Sequence, residues 1–240
     1  MHLNKLKGIG LFDIRLVYED DYVYRGHATF DGNNVRHFKP NGKGILTHKT
    51  DKTLICKGTW KNGLFTGTGK YKFMEYCRWG KGVVYNGEWK DGQLHGNGEM
   101  IDTNGDIYTG NWKNNNSFGI FKINYKKLGM YEGYININNM YKHGKGKMIY
   151  VNGAIYEGEW KDNEKHGKGK MIYINGDIYE GEWKNGLTYG RGKMIYVNGD
   201  IYEGEWKDNE KHGKGKMIYV NGDIYEGEWK NNEKHGTGKE

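Results

Sequence analysis

The chain has 240 residues, of which 40 are glycine and one, Pro40, is proline; apolar residues make up 35% and aromatic residues 15%. A Gly-rich, Tyr/Trp-rich and Leu-poor composition excludes a bundle of amphipathic helices and points to strands and turns. The net charge of +7 is uneven: residues 56–84 hold six basic side chains and only Glu75, whereas residues 156–240 carry a slight acidic excess.

No apolar run approaches the ~18 residues that a membrane helix needs. No secretory leader is visible at the N-terminus. Cys56 and Cys77 lie 21 residues apart with no CxxC spacing, which is no disulfide framework and fits a reducing compartment. A cytoplasmic, non-secreted protein is expected.

In chain order, Gly8-Ile-Gly10 reads as the tail of an incomplete unit and Tyr24-Arg-Gly26 as a weak unit start. Cys56-Lys-Gly-Thr-Trp60 is a clearer start, followed after six extra residues by Tyr85-Asn-Gly-Glu-Trp89. Tyr108-Thr-Gly-Asn-Trp112 and Tyr131-Glu-Gly-Tyr-Ile135 follow at 23-residue steps. After two extra residues, Tyr156-Glu-Gly-Glu-Trp160 recurs at Tyr179, Tyr202 and Tyr225 in strict register. A fixed period of this size means a stacked array. The expected organisation is residues 1–55 as divergent N-terminal repeats or a cap, 56–84 as an irregular basic repeat, and 85–240 as the regular array.

Each unit reads as two strands. Tyr156, Gly158 and Trp160 share one parity, and Gly169, Met171 and Tyr173 share a face of the next strand; period-two alternation is a strand signal. A six-residue polar loop, Lys161 to His166, is expected between the two strands. The Asn175-Gly176 dipeptide between units is expected to form a type I′ turn. The fold class is therefore all-β: an elongated single-sheet solenoid of tandem antiparallel β-hairpins.

Tyr156-Glu-Gly-Glu-Trp160 with Gly167-Lys-Gly169-Lys-Met-Ile-Tyr173-Ile-Asn-Gly176 resembles the MORN repeat (membrane occupation and recognition nexus) at every position. The resemblance is good from Tyr85 onward, moderate over 56–84 and poor before that. It implies an array of hairpins used for protein interaction, assembly or membrane association. MORN arrays are often attached to catalytic domains, for which the repeats here leave no room. The heavy Asn and Lys usage resembles stand-alone protist MORN-repeat proteins with cytoskeletal roles. Cys56 departs from the leading Tyr, Ile135 from Trp, and Phe118 and Tyr189 from the usual His.

No cofactor, metal site or catalytic set is expected. Gly-Lys-Gly-Lys lacks the helix and the Lys-Ser/Thr of a phosphate-binding loop. His95, His143, His166, His212 and His235 recur at one repeat position, too far apart to share an ion. Paired glutamates recur in successive units, whereas a catalytic residue is normally unique. The expected function is a non-catalytic scaffold or adaptor for protein interaction and assembly, at a membrane or the cytoskeleton. Its groove would take a partner helix or extended segment on Tyr156, Trp160, Tyr179, Trp183, Tyr202, Trp206, Tyr225 and Trp229. The alternative is peripheral binding of anionic lipid through Lys57, Lys61, Lys70, Lys72, Arg78 and Lys81, a stretch that also reads simply as solvated surface over core aromatics. No nucleic-acid motif is present, so no nucleic-acid partner is expected. The array stops mid-unit at Glu240, and an open strand edge templates pairing. A homodimer through the array's edge or face is therefore expected.

Overall fold

A computed structural model describes residues 11–18, 22–30, 38–49, 54–73, 81–136 and 139–239. The chain divides into two compact units, residues 1–119 and 120–240. The first holds β1 (Leu11–Tyr18), β2 (Tyr22–Phe30), β3 (Phe38–His48), β4 (Leu54–Lys61), β5 (Leu64–Lys72), β6 (Val84–Lys90), β7 (Gln93–Ile101) and β8 (Ile107–Lys113). Strand β9 (Asn116–Tyr125) runs across the boundary. The second unit continues with β10 (Gly129–Ile135), β11 (Lys142–Tyr150), β12 (Ile155–Lys161), β13 (Glu164–Ile172) and β14 (Ile178–Lys184). It closes with β15 (Leu187–Ile195), β16 (Ile201–Lys207), β17 (Glu210–Ile218), β18 (Ile224–Lys230) and β19 (Glu233–Lys239).

Every strand from β1 to β8 pairs antiparallel with the next in sequence. The same holds from β9 to β19. These nineteen strands belong to one sheet, and no helix occurs among the described residues. The all-β fold of tandem antiparallel hairpins read from the 23-residue period is the observed one.

The connections differ from the sequence reading. Lys161 pairs with Glu164, so the hairpin closes through two residues, Asp162 and Asn163, and not through a six-residue loop. Both have positive φ, 50° and 72°, which is the type I′ geometry whose twist matches that of paired strands. Asn and Asp tolerate this region because their short polar side chains bond locally. The rest of the expected loop is strand carrying a bulge. Gly158 pairs with Gly169 while Glu159 pairs with His166, so Gly167 and Lys168 bulge out.

The Asn-Gly dipeptide between units is not a type I′ turn. At Tyr173–Asp177 only Gly176 has positive φ (94°). The Gly176 N–H donates to the Tyr173 carbonyl at 3.0 Å, and the Tyr173 N–H to the Asp177 carbonyl at 2.9 Å. This is a wider loop that ends on a left-handed glycine.

Within each unit the core is a single layer of rings and methionines. Tyr85, Trp89, Leu94, Met100 and Trp112 are buried in the first, and Tyr131, Met148, Tyr156, Trp160, Met171 and Tyr179 in the second.

Candidate interaction surfaces

Strand parity gives each hairpin two faces, and they have opposite chemistry. On one face lie the Tyr, Gly and Trp of the first strand, opposite the Met, Gly and Lys of the second. Gly158 and Gly169 face each other across the strands. A Cβ at Gly158 would lie 2.5 Å from the Gly169 Cα, and one at Gly169 would strike the Tyr156 ring. Glycine is therefore required for the ring to lie on the backbone. The Tyr156 hydroxyl then donates to the Glu159 carbonyl at 2.9 Å. The Trp160 Nε1–H donates to the Gly146 carbonyl of the preceding repeat at 3.1 Å, as Trp183 does to Gly169, Trp206 to Gly192 and Trp229 to Gly215.

Each Trp also stands edge-on between the Tyr of its own repeat and that of the repeat before. From Tyr131 to Tyr225 the centroids are 5.0–5.6 Å apart at 80–88°, the favoured T-shaped geometry. The eight groove residues, Tyr156, Trp160, Tyr179, Trp183, Tyr202, Trp206, Tyr225 and Trp229, are at most 6% exposed. The structure brings all eight together, in the interior. Burial raises the hydroxyl pKa of Tyr156, Tyr179 and Tyr202 well above the ordinary phenol value. It also pushes the Cys56 thiol, at the Tyr position of its repeat, up to about 12. Cys77 lies outside the described residues.

A file of lysines covers this ring layer, and sequence reasoning missed it. Because the hairpin turns in two residues, Lys165 falls opposite Trp160. Its Nζ lies 4.1 Å from the Trp183 ring centroid and 5.8 Å from that of Tyr156. Lys211 sits likewise over Trp229 and Tyr202, Lys142 over Trp160 and Tyr125, and Lys234 over Tyr225. Burial lowers the Lys165 ammonium to about 8 and shifts Lys142 and Lys211 in the same direction. Phe65 and Leu94 hold this position in the first unit, and Thr188 interrupts the file in the second. The available signal was the Asp-Asn pair, whose tolerance of positive φ sets the register.

The other face is charged. Lys147, Glu157, Lys170, Glu180, Lys193, Glu203, Lys216 and Glu226 are successive cross-strand neighbours, so the sign alternates at every strand. Lys147 Nζ lies 3.7 Å from Glu157 Oε2. The second glutamate of each repeat has another task. Glu159 Oε1 accepts from the bulged Lys168 N–H at 3.3 Å, and Glu88 from the Asn97 N–H at 2.9 Å. Open clefts lie over the glycine rows on this face. One is lined by Glu157, Lys168, Lys170, Glu180, Glu182 and Arg191. A larger one, of about 1140 Å³, is lined by residues that include Glu203, Lys214, Lys216, Glu226 and Glu228.

In the first unit the alternation fails. Lys57 pairs with Lys70, and their other neighbours on this face are Ile45 and Asn86. Lys61 pairs with Leu64, and Lys72 with Val84. Lys57, Lys61, Lys70 and Lys81 are exposed and Lys72 is half-buried. Arg78 lies outside the described residues. The strands β4 and β5 thus gather four of the six lipid candidates on one face with no carboxylate opposite them.

Rows of identical side chains carried across consecutive strands on a one-layer core define a β-hairpin repeat scaffold. The MORN repeat profile matches residues 56–78, 85–107, 141–155, 156–178, 179–201, 202–224 and 225–240, which is more than half of the chain. The chain belongs to the MORN repeat family. It is also similar to alsin from Rattus norvegicus, 33% identical over 92 residues, and to human alsin, 32% identical over 92 residues. These alignments cover 38% of this chain but only 5% of alsin, so the chain spans about one twentieth of the length of these curated relatives. Among solved structures it is similar to the wild-type TCP10 domain of Danio rerio CPAP, with 9% identity, coverage of 90% of this chain and 94% of that one, and a TM-score of 0.46. It is similar also to the TCP domain of Drosophila melanogaster SAS-4, solved in complex with a proline-rich motif of Ana2, with 16% identity, coverage of 65% and 81%, and a TM-score of 0.40.

Proposed function

We propose that the chain is a non-catalytic scaffold or adaptor that binds a helix or an extended segment of a protein partner in the cytoplasm, in an assembly at a membrane or the cytoskeleton. The observation that carries this reading is the pair of open clefts on the Glu/Lys face, which follow the repeat rows and place charged groups at regular steps. The leading Tyr and the Trp of each regular repeat from Tyr156 onward are already used in packing. The eight residues Tyr156, Trp160, Tyr179, Trp183, Tyr202, Trp206, Tyr225 and Trp229 therefore shape the binding surface from beneath, and the partner touches the side chains of the rows outside. Repetition also argues against an enzyme, since the same glutamate and histidine positions recur from repeat to repeat, whereas a catalytic residue is normally unique. A photo-crosslinking residue placed at Glu182 in the native cell tests this. A protein crosslink that is lost when Glu180 and Glu203 are both changed to Lys, in a chain with unchanged circular dichroism, supports it. Crosslinking to no specific protein rejects it.

A second reading rests on the unpaired basic face. Lys57, Lys61, Lys70 and Lys72, with Arg78 and Lys81 close in sequence, suit anionic headgroups, each basic group contributing ~1 kcal/mol near an acidic membrane. In this reading residues 56–84 are the membrane contact, 1–55 are divergent N-terminal repeats or a cap, and 85–240 hold the protein partner. Vesicles containing phosphatidylserine should sediment the chain at low salt and release it at high salt. The Lys57→Glu/Lys70→Glu variant should not sediment. Binding that is absent or indifferent to salt rejects this reading. Self-association through an edge or face of the array belongs to the same scaffold proposal.

A further inference from the structure

The charged face of the second unit also carries an apolar band. One isoleucine per strand, from Ile149 on β11 to Ile224 on β18, forms a single cross-strand row beside the Lys/Glu row. Every member is solvent-accessible; Ile149, Ile195, Ile218 and Ile224 are 37–43% exposed. Two residues further on, at the tips of the loops between units, stand Val151, Ile174, Val197 and Val220, each 70–72% exposed. The tips are held in line. The Val197 N–H donates to Asp177 Oδ1 at 2.8 Å and the Val220 N–H to Asp200 Oδ1 at 2.9 Å. The glycines of the loops before them, Gly176 and Gly199, face the Val197 and Val220 methyls.

Eight strands at ~4.8 Å spacing make this band roughly 34 Å long. Its three rows, charge row, isoleucine row and tips, two residues apart along the strand, make it about 13 Å wide. That area is about half the ~800 Å² per partner of a standard stable interface, the scale of a weak, reversible association. Exposed apolar strips of this length mark interaction sites.

We propose that this band is the interface with a second copy of the same chain. It rests on the self-association reading above and names the surface. The charge pattern selects the occupant. A row whose sign alternates at every strand meets like charge at every second rung on any surface of one sign, such as an anionic membrane or a polyanion. A copy related by a two-fold axis along the strands, in full register, sets Lys147 against Glu226, Glu157 against Lys216, Lys170 against Glu203 and Glu180 against Lys193, and so meets opposite charge at every rung. Isoleucine then packs on isoleucine, while Lys168, Glu182 and Arg191, on the far side of the charge row, remain open to the protein partner.

Sedimentation equilibrium on the whole chain, with Ile178→Lys/Ile195→Glu, is the test. Ile178 and Ile195 are direct cross-strand neighbours, so the two introduced charges attract within one chain while the apolar row is broken. A dimer in the unchanged chain, with dissociation at least 10-fold weaker in the variant at equal thermal stability, is the expected result. If that variant does not fold, Ile174→Asn/Val197→Asn at the exposed tips makes the same comparison with the same expectation. A dimer equally strong in the variant leaves self-association standing and overturns the band as its site. A monomer at every concentration overturns both. Binding of the unchanged chain to zwitterionic phosphatidylcholine vesicles, lost in the variant, assigns the band to a membrane and overturns the proposal.

Discussion

At Gly169 the Tyr156 ring occupies the space that a side chain needs. Gly169→Ala must push the ring off the backbone, loosening the Tyr156 hydroxyl from the Glu159 carbonyl and disturbing the edge-to-face contact with Trp183. We expect a loss of about 1–3 kcal/mol, as for other overpacked cores, read from urea unfolding. The exposed Lys170→Ala should stay within ~0.5 kcal/mol. Lys165 gives a pH signature. Its folded pKa of about 8 lies below the ordinary lysine value of 10.5, so between these two values the unfolded chain binds more protons and stability rises with pH. The tyrosines act in the opposite sense. Their folded pKa values lie above the ordinary 10.0, so above that pH the unfolded chain loses protons that the folded chain keeps, and stability falls. The urea midpoint of the chain should therefore climb relative to Lys165→Met between pH 8 and pH 9.5, and both should fall above pH 10. A difference between the two that does not change with pH would show that the Lys165 ammonium is not desolvated over the rings.

The two-residue turns do more than reverse the chain. Asn163 has φ of 72°, and its Oδ1 accepts from the Lys142 N–H of the preceding hairpin at 2.8 Å. Asn209 does the same for Thr188, and Asn232 for Lys211. Asn163→Ala loses both the tolerance of positive φ, ~1–2 kcal/mol, and a hydrogen bond of ~0.5–1.5 kcal/mol. Asn163→Gly should recover only the first part. Equal melting temperatures for the Ala and Gly variants would contradict the conformational half of this account. The turn is also where sequence reading stopped short. Alternation of Tyr156, Gly158 and Trp160 was legible because side chains of one parity share a face. The bulge at Gly167 was not, since Gly-Lys-Gly looks the same whether or not the register slips there. Taking Lys161 to His166 as a loop left Lys165 as loop surface, and so hid its seat on Trp183. Asn175-Gly176 carries the dipeptide of a type I′ turn, but the Tyr173 and Asp177 backbone groups pair outside it and widen the loop to another type.

For the molecule as a whole, the 23-residue period gave the strand count per repeat and the identity of the core, because one buried Tyr and one buried Trp must recur wherever a layer is stacked on the last. It could not say which face stays open. Rings of Tyr156 or Trp183 on a single sheet read equally well as a groove or as an interior, and only the ring-on-glycine packing and the covering lysines decide for the interior. That Glu157 and Glu159 take the face opposite the rings was legible from the shared parity of Tyr156, Gly158 and Trp160. The strict alternation of Lys and Glu in the second unit, and its loss at Lys57 and Lys70 in the first, needed the pairing register. The claim on which the rest depends is that the aromatic ladder is inside and the charged rows are the working surface. Hydrogen exchange at the indole Nε1–H groups, followed by NMR on the intact chain, tests it most directly. The account predicts that Trp89, Trp160, Trp183, Trp206 and Trp229, each donating to a glycine carbonyl at 3.1 Å, exchange far more slowly than a free indole. Exchange of these five at the free rate would mean that the rings line an open groove.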